Sequence, residues 1–206
     1  MRRAAATYPS RVTLPLEPAG GPGVFQAARL DVDAALAAAI RPGLELRDVP
    51  APKRLAPYSL AVAAEVLRGG EEVATGRFVV LYDPQGQEGW AGQTRVVAFV
   101  SADVEAEMAE DAALAEAGWS WLTDALEGRG AAHTAVGGTV TRTISTRFGQ
   151  VSEPSETNEV EIRASWTALP GPGGDLGLGT HLWAWCDLLC ATAGLPPPGV
   201  SALPAR

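Results

Sequence analysis

Apolar side chains recur along this chain at two spacings, and the spacing switches where one element gives way to the next. Over 24–40 (VFQAARLDVDAALAAAI) Phe25, Ala28, Val32, Leu36 and Ala39 return every three or four residues. That period predicts a helix with one apolar stripe, stopped by Pro42–Gly43. Leu44 to Val49 reads as a short strand. It runs into PAPKRLAP, where Pro50, Pro52 and Pro57 hold the backbone extended. Two strands follow, 58–67 and 72–82, joined at Gly69–Gly70 as a hairpin. In the second, Phe78, Val80 and Tyr82 share one face and Val79 and Leu81 the other, which predicts a central strand covered on both sides. A fourth strand, 94–100, comes after a glycine-rich loop.

Ser101 is placed to cap the next helix, with Asp103 and Glu105 in its first turn, where the helix dipole favours acids. Residues 103–116 carry six acids and no base. Gly118 is expected to break this helix from a second one over 119–127. Strict alternation then appears. In 139–148 Thr139, Thr141, Thr143 and Ser145 alternate with a set containing Val140, Ile144 and Phe148. In 158–167 Glu159, Glu161, Arg163, Ser165 and Thr167 alternate with Val160, Ile162, Ala164 and Trp166. Both stretches predict half-buried strands, polar side to water, joined by a loop at 149–157. PGPGG at 170–174 ends the sheet, and 178–193 forms a last helix before Pro196–Pro198.

The predicted order is α-β-β-β-β-α-β-β-α. Short connections between strands imply antiparallel pairing, so the expected class is α+β: a mostly antiparallel sheet of about six strands with helices packed against it. Residues 1–23 read as a flexible N-terminal tail, 24–195 as a single domain and 196–206 as a C-terminal tail.

Composition narrows the function classes. Hydrophobic residues are 47% of the 206, ample for a core, and charged residues are 19%. A net charge of −8 repels phosphate backbones, so nucleic acid is disfavoured as a partner. Lys53 is the only lysine among sixteen bases, a skew that reads as codon bias in a GC-rich genome. Cys186 and Cys190 lie one helical turn apart in an apolar segment, a spacing poor for a disulfide and suited to buried thiols in a reducing cytoplasm. No stretch approaches the ~20 apolar residues of a membrane span, and no signal-peptide apolar core follows Arg2 and Arg3.

Motifs with a known mechanism are absent: no phosphate loop, dinucleotide fingerprint, HExxH, zinc-spaced Cys/His set, EF-hand loop or nucleophile elbow. Hence no catalytic residue, metal ligand or cofactor is expected. His133 and His181 fall in different elements, and Asp187 lies off the helix face of His181. The loop 83–93 (DPQGQEGWAGQ) offers Glu88 and Trp90 for binding among pliable glycines; the plainer reading folds Trp90 back on the core. In KRLAPY, 53–58, Arg54 stands beside Tyr58 on a stiff backbone, where a cation and an aromatic can hold an anion or a partner carboxylate. The last helix is apolar on nearly all sides, with Trp185 and Leu188 widening the arc; it is either a core helix or a homodimer seam.

Several phrases together resemble one family: APKRLAPYSLAV, ATGRFVVLYDPQGQEGW, GWSWLTDAL, VEIRASWTAL and LLCATAGLPPPGV. They are similar to an actinobacterial family catalogued as domain of unknown function 3000, over about Val24 to Leu203. The resemblance implies no activity, cofactor or site residue. The element order is also similar to small acidic secretion-chaperone-like folds that dimerise, with one strand more and no shared motif. The leading expectation is a non-enzymatic cytoplasmic interaction protein, chaperone-like, with a protein partner or as a homodimer. One alternative is a small-molecule-binding domain using the 83–93 loop. Another is an enzyme with a dispersed site, for which Asp83, Glu88 and His133 are the first groups to test.

Overall fold

Alternating apolar positions on successive strands force one sheet face to seek cover, and the helices supply it. A computed structural model describes residues 21–38, 41–148 and 156–196. The elements run α1 (Gly21–Ala37), β1 (Leu44–Val49), β2 (Tyr58–Arg68), β3 (Glu71–Tyr82), β4 (Thr94–Asp103), α2 (Ala106–Glu110), α3 (Leu114–Gly128), β5 (His133–Thr146), β6 (Glu156–Ala168) and α4 (Leu178–Thr192). The strands form one six-stranded sheet in the order β1-β2-β3-β4-β6-β5. Every neighbouring pair is antiparallel, so the fold is α+β as the spacing predicts.

The inner face carries Leu60, Val62, Phe78, Val80, Val96, Val100, Ile162 and Trp166, all buried under the helices. The β2–β3 hairpin turns at Gly69–Gly70, whose φ values of 63° and 90° are those a two-residue turn of this hand requires. α4 lies directly on the sheet beside α1 and α3, which cover most of its apolar girth and leave Trp183 partly exposed. Its ends are held from outside: Asp31 Oδ2 accepts the Gly179 N–H at 2.7 Å, and Arg68 donates to the Ala193 carbonyl. An acid at the N-terminus and a base at the C-terminus both complement the helix dipole.

The outer face is polar over most of its area but has an apolar end. There Ala61, Val79 and Leu81 are covered by Val49, Ala51, Ala56 and Trp90. β3 is therefore covered on both faces, as its continuous apolar run predicts.

Four local expectations change. The first helix starts at Gly21 rather than 24, so 21–23 are helical; residues 1–20, 39–40, 149–155 and 197–206 lie outside the described residues, and with them most of the expected N-terminal tail, the last two residues of the expected 24–40 helix, nearly all of the expected C-terminal tail and most of the 149–157 loop. Ser101 caps nothing: it belongs to β4 and donates to the Glu159 carboxylate across the sheet. The break in the acidic helix falls at 111–113, where the Asp111 carboxylate accepts the Ala113 N–H at 2.8 Å. Gly118 sits inside α3, buried against Val140 and Ile162. Finally, β6 is half-buried as expected, but the outer half of β5 is not. It runs past the end of β4, and Ile144 and Phe148 are 49% and 83% exposed. No helix among the described residues is long and apolar enough to cross a membrane.

Candidate functional site

The connector 50–57, which holds all of the singled-out 53–58 segment but Tyr58, and the 83–93 loop meet over the apolar end of the outer face. Proline stiffness and side-chain-to-backbone bonds set their shapes. Asp83 Oδ1 accepts the Gln85 N–H at 3.0 Å, the usual Asp-turn bond. Gln87 Nε2 donates to the Leu55 carbonyl at 3.1 Å and to Asp83 Oδ2 at 3.2 Å, which ties one loop to the other. Arg77 donates to the Pro50 carbonyl at 2.9 Å, and Thr167 donates to the Trp90 carbonyl. Trp90 lies against the Ala61–Val79–Leu81 patch, so its ring closes the sheet face instead of standing free.

The residues proposed from sequence are thereby dispersed. Arg54 and Glu88 are exposed in these loops and make no hydrogen bond or ion pair among the described residues. Tyr58 turns to the opposite, helix-facing side of the sheet. Its ring centroid lies 5.4 Å from that of Phe25 and 6.0 Å from that of Tyr82. Arg54 and Tyr58 thus do not form one anion site. Trp185 is 0% exposed, with its ring 5.7 Å from Phe78 and its Nε1 donating to the Phe99 carbonyl at 3.2 Å. It offers no surface to a partner, and of the two readings of α4 the structure shows the core helix.

Arg54 has a φ of 73°, in the left-handed region that costs a non-glycine residue about 1–2 kcal/mol. Arg54→Gly is expected to leave stability unchanged or raise it by up to about 1 kcal/mol, read from thermal denaturation. A loss of more than about 1 kcal/mol would show that the guanidinium makes a bond of consequence.

Among the described residues the titratable groups singled out from sequence form no acid–base constellation. Asp83 is held in its turn by Gln85 and Gln87. The His133 Nδ1 bonds the Ala131 carbonyl at 2.8 Å. His181 accepts from Trp166 Nε1 at 3.0 Å in the interior, so its own proton sits on Nε2. Burial, and then the nearby His133, push its pKa down to about 4. The two histidines are therefore neighbours, which their distance in sequence hides, but no carboxylate bonds either ring among the described residues. Asp187 is taken by Arg129 in a two-bond pair at 2.5 and 2.8 Å. Burial raises both the Cys186 and Cys190 thiols, which keeps them protonated and inert. Among the described residues no three His, Cys, Asp or Glu side chains converge as metal ligands.

Two features lay outside the sequence reading. One is a cleft beside α1. A cavity of about 660 Å³ runs from Val24 and Ala27 to Asp31, Asp175 and Thr180. A second, of about 480 Å³, continues past Tyr82, Gln93, Thr94 and Leu169, and the two share Val24, Gly174 and Leu176. The other is the free edge of β5, which meets no further strand among the described residues.

No curated protein and no solved structure matches the chain, so the similarity of element order to secretion-chaperone-like folds carries no functional argument. A family model described as "Protein of unknown function (DUF3000)" matches residues 21–201, nearly the whole chain, and the chain belongs to that family.

Proposed function

We propose that the chain is a non-enzymatic cytoplasmic interaction protein, assembled as a homodimer by pairing β5 of one copy with β5 of a second. The contrast between the two edges of the sheet carries this reading. An unpaired edge recruits other strands, and proteins that remain monomeric blunt it with short length, charge or proline. β1 is blunted in all three ways. It has six residues, three of them charged (Glu45, Arg47, Asp48), and stands between Pro42 and Pro50. Arg47 and Asp48 are further tied to Glu65 and Arg29.

β5 has none of these devices along most of its length. It has fourteen residues, no proline and no lysine, and Arg142 is its one arginine or acid. A second copy suits such an edge. Antiparallel self-pairing centred on Thr141 sets Thr139 against Thr143, Val140 against Arg142 and Ile144 against Gly138. No like charges meet, threonine pairs line one face, and the exposed Ile144 gains cover. The two buried thiols suit a reducing compartment.

Sedimentation velocity tests the reading. The wild type is expected to sediment as a dimer at micromolar concentration. Thr141→Lys is expected to shift it to monomer with an unchanged circular dichroism spectrum, because the lysine faces Glu161 within the chain but another lysine across the seam. A wild type that sediments as a monomer throughout that range would overturn the proposal.

A further inference from the structure

We infer that the cleft between α1 and the 168–180 segment is a binding site for a small organic amine: its ammonium pairs with Asp31, its apolar body lies across Val24 and Leu176, and a polar group at its far end bonds the Thr94 hydroxyl. This does not depend on strand pairing at β5. Three observations meet here.

The first is the sign of the lining. Asp31 and Asp175 line the larger cavity, and neither cavity is lined by an arginine or lysine. The N-terminus of α4, which would otherwise draw an anion into this cleft, is already taken, since the Gly179 N–H is bound by Asp31 Oδ2 at 2.7 Å. That leaves Oδ1 without a hydrogen-bond partner among the described residues. Asp31 is exposed to solvent, so its ion pair adds selectivity for an ammonium more than affinity, and the apolar walls supply the rest. The −8 charge of the whole chain also favours a cation over an anion.

The second is the character of the walls. Val24, Ala27, Ala28, Leu176 and Leu169 are aliphatic, and a mostly apolar cleft with a few convergent polar groups is the usual form of a small-molecule site.

The third is Thr94. It lines the smaller cavity, is 1% exposed, and its Oγ1 is buried without a partner. Buried hydroxyls are nearly always bonded, so an orphan in the wall of a cavity is a polar group still without a partner, which a ligand atom can supply. Its position follows from register. Thr94 pairs with Tyr82 on one side and follows the β4 alternation onto the inner face, which brings its side chain to the cleft and away from solvent.

The test is a titration of the full chain with four compounds of similar length, followed by backbone amide NMR shifts. Aminohexanol, which carries both an ammonium and a hydroxyl, is expected to bind tightest. Hexylamine is expected to bind about tenfold more weakly, and hexanediol and hexanoate more weakly still. Shifts are expected at Val24, Asp31, Thr94 and Leu176. Two variants separate binding from folding. Asp31→Asn keeps an oxygen for the Gly179 N–H, so the fold is retained, but it should erase the preference for ammonium. Thr94→Val removes the orphan hydroxyl, so it should raise Tm while making aminohexanol bind no better than hexylamine. The inference is overturned if none of the four compounds binds, if all four bind alike, or if Thr94→Val lowers Tm and leaves the aminohexanol preference intact.

Discussion

Trp185→Ala is expected to lower the stability of the fold by about 3–5 kcal/mol, the range for removing a fully buried large aromatic side chain. The ring is at the centre of the packing. It is 0% exposed, it faces Phe78, and its Nε1 donates to the Phe99 carbonyl. The sheet is built to receive it: a Cβ on Gly76 would come within 2.6 Å of the indole Cζ2, so β3 carries glycine where the ring lies flat on the strand. Truncation leaves a cavity at the meeting of α4 with β3 and β4 and removes the bond to the Phe99 carbonyl. Urea denaturation reads the loss as a lowered midpoint at an unchanged slope. A shift of less than about 1 kcal/mol would mean that the ring is a surface group and that α4 is open to a partner.

The second large effect is acid lability between pH 6.5 and 4. An unfolded histidine titrates near 6.5, whereas burial and the neighbouring His133 hold folded His181 at about 4. The folded chain therefore binds this proton less readily than the unfolded chain. The stabilisation is whole above about pH 6.5, declines as pH falls from there, and is gone below about 4. It amounts to roughly 3 kcal/mol. The geometry gives the cause, because protonating Nδ1 would turn the acceptor of the Trp166 N–H into a second donor. His181→Gln keeps an acceptor for Trp166 but has no charge to gain. Its stability, measured by denaturant titration at a series of pH values, is expected to fall much less steeply over this window. Equal slopes for the two proteins would place the acid sensitivity elsewhere.

Much of the framework is legible in the chain because local chemistry decides it. Proline fixes the 50–57 segment, two glycines at positive φ make the β2–β3 turn, and unbroken alternation marks β6. What escapes is whatever depends on distant cover. The alternation of Val140 and Ile144 says which way β5 points, but not that the β5–β6 pair runs on past the end of β4 at Asp103, where Ile144 stays exposed. Gly118 looks like a helix break in one dimension. In three it lies in the middle of α3, packed against Val140 and Ile162. The apolar girth of α4 announces burial but cannot say whether a second chain or this chain's own sheet provides it.

The candidate sites follow the same rule. Trp90 and Tyr58 are conspicuous as aromatics among polar residues, yet long-range packing sends them to opposite faces of the sheet. Thr94 has no local signal, since an orphaned hydroxyl is a property of its surroundings. The exposed edge was equally hidden. It follows from β6 inserting between β4 and β5, a crossing that no residue near β5 betrays.

Hydrogen–deuterium exchange along β5, followed by NMR across a dilution series, tests the central claim most directly. The β5 amides that do not point at β6 should be slow to exchange at high protein concentration and should become fast together as the protein is diluted. Fast exchange of those amides at every concentration, with the rest of the sheet protected, would contradict pairing of β5 with a second copy.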